Sequence, residues 1–96
     1  MINKEELYNK IMYGIEATST CFYQQKVKEG YEYLDETLKC IALGVEYIVA
    51  QDVNNKVIGI LLYAMKALED RDTILLSDII LYDLKVEFQA NKNLFI

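Results

Sequence analysis

Two pairs of carboxylates stand three residues apart in this chain, Glu29 with Glu32 and Glu69 with Asp72. Carboxylates at that spacing share one face of a helix and can hold a hard cation such as Mg²⁺ through oxygen. A cation so held would assist hydrolysis at a phosphate. Against this, Glu29 adjoins Gly30, and Glu69-Asp70-Arg71-Asp72 reads as a charged turn. With fifteen acidic residues such pairs arise by chance, and solvated charges and helix caps are the preferred reading. The chain has no histidine, which excludes Ser-His-Asp and Cys-His nucleophiles and histidine-based metal sites. It has no glycine-rich phosphate loop and no Ser or Thr with a base at hand. Cys21 and Cys40 lack metal-ligand spacing and are expected as reduced, small apolar residues. No catalytic, cofactor-binding or metal residue is therefore assigned, and the chain is not expected to be an enzyme.

The bulk properties bound the rest. Ninety-six residues make one domain, 1–96, and 53% hydrophobic with 26% charged residues is globular composition. The absence of proline favours long, uninterrupted helices. A net charge of −5 repels nucleic acid phosphates and anionic lipids, so neither is an expected partner. No apolar run is long enough to span a bilayer and no leader pattern opens the chain, so the expected location is cytoplasmic. Lysine far outnumbers arginine, and Ile, Asn and Tyr abound; AT-rich codons encode these residues, which points to a bacterial genome.

Hydrophobic spacing predicts an all-α, up-down four-helix bundle with helices over about 4–24, 27–50, 55–69 and 73–89. Asn3 caps the first helix with Glu6 in the capping-box position, and Tyr8, Ile11, Ile15, Thr18 and Phe22 form its apolar stripe. In the second, Val27, Tyr31, Leu34, Leu38, Ile41, Val45 and Ile48 alternate by four and three, the heptad seam of a bundle helix. The third carries Ile58, Leu61, Leu62, Met65 and Leu68. Asp72 or Thr73 caps the fourth, and Ala90 to Ile96 is a tail. The stretch 45–63 also reads as two strands around Asn54-Asn55, giving a small α+β alternative. The unbroken heptad through Val45 and Ile48 favours the all-α reading.

Residues 72–88, DTILLSDIILYDLKVEF, place large apolar side chains on two sides of one helix. At about 100° per residue, Leu75, Ile79, Tyr82 and Val86 share one face, and Ile74, Leu81, Leu84 and Phe88 share the opposite one. Asp78 and Lys85 form one seam between the faces. A bundle buries one face, and an apolar face left open marks an interaction site. Ile74, Leu81, Leu84 and Phe88 are the expected interface, with a homodimer or a protein client as the partner; the alternative is a central fourth helix that is core on both faces.

Two resemblances bear on function. The carboxylate spacing is similar to that of all-α nucleotide pyrophosphohydrolases, which implies the Mg²⁺-dependent alternative through Glu29, Glu32, Glu69 and Asp72. Residues 61–85, LLYAMKALEDRDTILLSDIILYDLK, resemble the second half of small helical proteins of anaerobic Firmicutes through Leu76, Asp78, Ile79, Ile80, Tyr82 and Leu84. More loosely, they resemble the helical bundles of flagellar export chaperones. That resemblance implies a bundle holding a client's amphipathic segment in a groove. The sequence reading is thus a small helical-bundle interaction protein, adaptor or chaperone-like, that self-associates through the last helix.

Overall fold

The computed structural model describes residues 3–48 and 51–94. Its elements are α1 (Lys4–Tyr23), α2 (Val27–Tyr47), α3 (Gln51–Glu69) and a fourth helix, α4, in three continuous segments. These are Thr73–Asp78, Ile79–Leu84 and Lys85–Ala90, and a short 3₁₀ turn, Lys92–Leu94, follows. The chain is an all-α up-down four-helix bundle. No strand occurs among the described residues, so the α+β alternative over 45–63 is corrected. The last residues of the expected 27–50 helix, 49 and 50, and tail residues 95 and 96 lie outside the described residues.

The caps follow local chemistry. The Asn3 side chain accepts the Glu6 N–H at 2.8 Å, and its amide donates to the Glu6 carboxylate at 3.1 Å. Asp72 accepts the Leu75 N–H at 3.0 Å and opens α4. Two non-glycine residues in left-handed backbone, Gln25 (φ 61°) and Arg71 (φ 56°), end α1 and α3. Each is followed by an N–H that reaches back five residues, Lys26 to the Cys21 carbonyl and Asp72 to that of Ala67. The third helix starts four residues earlier than its apolar spacing indicates: Gln51-Asp52-Val53-Asn54 is its first turn and not a loop. There the Asn54 amide lies 3.4 Å from the carbonyls of both Val45 and Ile48, closing the end of α2.

α1 and α2 form a tight antiparallel hairpin. Phe22 meets Tyr31 edge-on at 5.2 Å, Tyr13 meets Tyr33 at 6.3 Å, and Lys4 lies over the Tyr47 ring at 5.2 Å. The α2 residues buried against this hairpin include Gly30, Thr37 and Gly44, small residues one heptad apart. A Cβ on Gly30 would come within 2.5 Å of the Phe22 ring, so the glycine is what admits that ring. Because the small residues take the close contact, α2 is rotated away from its apolar seam. Leu34, Ile41 and Ile48 stay buried, whereas Val27 and Leu38 are left 44% and 39% exposed.

α4 runs antiparallel to α1 and lies between α1 and α3. The Tyr23 hydroxyl donates to Asp78, Lys85 pairs with Glu16, and Lys92 lies over the Tyr8 ring at 5.6 Å. The Asp78–Lys85 seam of the sequence is therefore the edge of α4 that meets α1. The middle segment of α4 is π-helical: the Lys85 N–H donates to the Ile80 carbonyl, five residues back. The core line of α4 is Leu76, Ile80, Leu84 and Phe88, each at most 3% exposed. On an ideal α-helix Leu76 and Phe88 would sit about 120° apart. At about 4.4 residues per turn, six π-helical residues remove roughly 110° of rotation and bring them into line.

Candidate interaction surface

The π segment overturns the expected outer face. Of Ile74, Leu81, Leu84 and Phe88, the last two are 1% exposed and belong to the core, and Leu81 is half-buried against it. Only Ile74, 48% exposed, faces out. A wheel drawn at constant pitch cannot anticipate this, because the rotation lag falls inside the helix. Besides Ile74, α4 exposes Leu75, Tyr82 and Val86 of the opposite face, while Ile79 of that face is buried.

The carboxylate pairs do not assemble. Glu29 and Glu32 are exposed near the start of α2, Glu69 ends α3 and Asp72 is occupied as the cap of α4. Among the described residues no three His, Cys, Asp or Glu side chains are grouped to hold a metal ion. Cys21 and Cys40 are free and half-buried.

The seam between α2 and α3 is the feature with shape. Leu34, Leu38 and Ile41 line it from α2, and Leu61, Met65 and Leu68 line it from α3. Leu76, Ile80 and Leu84 of α4 make the floor, and Thr37 is its one polar wall residue. The Thr37 hydroxyl is spent on the Tyr33 carbonyl at 2.6 Å, so the seam offers a ligand no polar group. Its enclosed volume is about 30 Å³, far below the roughly 300–1,000 Å³ of small-molecule sites. An apolar, shallow, linear seam suits the side chains of another polypeptide.

Both rims are made by heptad-spaced residues that the bundle only partly covers. On α2 the surplus is Leu38; on α3 Met65 is 55% exposed, and the surface continues outward over Ile58 (42%) and Leu62 (62%). All four appear in the apolar stripes of the sequence, yet periodicity alone assigns them to the core. The missed signal is the second heptad of α2: Gly30, Thr37 and Gly44 compete with the leucine seam for the contact with α1.

A second depression crosses the α1–α2 hairpin. It has about 370 Å³ of space among Asn9, Lys10, Tyr13, Glu36 and Cys40, above Gly14 and Thr37. Asn9, Lys10, Tyr13 and Glu36 are exposed, so it is an open trough. The neighbouring Tyr13 phenol raises the Tyr33 phenol above its ordinary value. No helix among the described residues is long and apolar enough to cross a membrane.

The fold and this seam define a four-helix bundle with an open apolar edge. Comparison with family models, with curated proteins and with solved structures finds no match to the chain.

Proposed function

We propose that this chain is a small helical-bundle interaction protein, an adaptor or chaperone-like module. It binds another polypeptide through the α2–α3 seam and the adjoining outer face of α3. The observation that carries this reading is the seam itself: apolar walls and floor, too shallow for a small molecule, with Leu38 and Met65 exposed along its rims. The role implied by the export-chaperone resemblance, holding an amphipathic segment in a groove, would use the same surface. The Mg²⁺-dependent alternative has no comparable support, since Glu29, Glu32, Glu69 and Asp72 form no shared site among the described residues.

A photo-cross-linking residue at position 65, compared in living cells with one at position 86, tests the reading. The expected result is a polypeptide adduct, to this chain or to another, at position 65 and none at position 86. Absence of any adduct at position 65 overturns it.

A further inference from the structure

α3 exposes Ile58, Leu62 and Met65 on one side, at 42%, 62% and 55%, spaced by four and three residues. Beside them Gly59 leaves bare backbone, with no atom within 4 Å of where a Cβ would stand. A glycine inside a helix weakens it, and nothing in the chain's own packing requires this one. What it offers is room for a second helix to come close.

We propose that a second copy of this chain docks on that face. The two α3 helices pack antiparallel about a two-fold axis at Leu62. The proposal rests on the reading of α3 as a contact surface and names its occupant.

Charge favours this face over those of α2 and α4. The chain carries −5, so a second copy is repelled wherever acids gather. α2 bears five acids against two lysines, and Asp83 stands beside Tyr82 on the open side of α4. In α3 the four charges, Asp52, Lys56, Lys66 and Glu69, cancel.

Antiparallel pairing about Leu62 also gives the groups on this side of α3 counterparts. Ile58 of one copy meets Met65 of the other, and the Lys66 stem lies across the bare backbone at Gly59. Glu69 comes level with the Asn55 amide. In each chain Asn55 already accepts from Gln51 through its side-chain oxygen at 3.0 Å, so its NH₂ is turned toward other acceptors. A self-complementary patch of this kind is what a two-fold dimer requires.

The test is sedimentation equilibrium of the full chain over a wide concentration range, alone and as Leu62→Asp. The expected wild-type mass rises from one copy to two. Leu62→Asp, at an exposed position, keeps its helical circular dichroism and weakens association by roughly tenfold or more. Gly59→Gln is the second variant; it strengthens the isolated helix yet also lowers association, which a folding defect does not do. In a Cys21→Ser/Cys40→Ser background, Leu62→Cys closes a disulfide between two copies under mild oxidation, and Val86→Cys does not. A wild-type chain that stays at one copy throughout, or a two-copy species that Leu62→Asp leaves intact, overturns the proposal. If position 65 nevertheless cross-links to a different polypeptide, the contact surface stands and the second copy is the wrong occupant.

Discussion

Thr37 of α2 packs against the bare backbone of Gly14 in α1, and its hydroxyl turns back to the Tyr33 carbonyl at 2.6 Å. A methyl group on Gly14 would overlap the Thr37 side chain. This contact sets how close the two helices come and how far α2 is rotated. It therefore also decides that Leu38 is left for the seam with α3.

Gly14→Ala is accordingly expected to destabilise the bundle by about 1–3 kcal/mol through overpacking. It does so although alanine is better in a helix than glycine by about 1 kcal/mol. Denaturant unfolding checks this. A stabilised Gly14→Ala would show that the helices can separate at no cost.

The two sides of α4 should respond differently to truncation. Leu84→Ala and Phe88→Ala are expected to cost about 2–5 kcal/mol each, because both side chains are buried. Tyr82→Ala and Val86→Ala, at exposed positions, should stay within about 0.5 kcal/mol of the parent chain. Unfolding midpoints of the four variants give the comparison directly.

The π segment acts as one extra residue in α4. Deleting the exposed Tyr82 leaves Leu76, Ile80, Leu84 and Phe88 spaced by four, three and four, the regular spacing of a core stripe. The deletion variant is expected to unfold cooperatively, within about 1 kcal/mol of the parent, with a purely α-helical fourth helix. Deleting Gln89, beyond the core line, cannot make this repair; amide exchange along α4 reports the difference.

Tyr23 makes stability depend on alkaline pH. Partial burial, then the hydrogen bond to the Asp78 carboxylate and the charge of that group, push its phenol from 10.0 up to about 12. The folded chain thus holds the phenol proton more tightly than the unfolded chain does. The stabilisation is fully present below pH 10 and is lost as pH rises toward about 12. Tyr23→Phe should remove this component, so that its stability falls less across that window than the parent's does. Denaturation midpoints on either side of the window measure it.

Much of the fold is legible because local chemistry and packing agree. The Asn3 cap, the stripe Tyr8–Ile11–Ile15–Thr18–Phe22 and the charged turn before Asp72 all stand where spacing and side-chain type put them. The α3 start is not legible, because Asp52, Asn54 and Asn55 are turn-favouring types, and the contact of Asn54 with the end of α2 is not recorded in local spacing. The surface is the least legible part. Every apolar residue that shapes it is visible in the sequence. Which of them face out depends on two displacements that periodicity does not record: the rotation of α2 onto Gly14 and the lag inside α4. The expected interface at Leu84 and Phe88 fails for the second reason, and the exposure of Leu38 follows from the first.

The rim at Met65 is where we propose that another polypeptide makes contact. The chain has three methionines, so its methyl spectrum, with only those methyl groups isotopically labelled, is simple to assign. We would follow the Met65 and Met12 signals as the chain is concentrated and as extract of its own cells is added. The expected result is that the Met65 signal shifts or broadens in at least one series, while Met12, half-buried in α1, keeps its position. A Met65 signal unchanged in both series overturns the proposed contact.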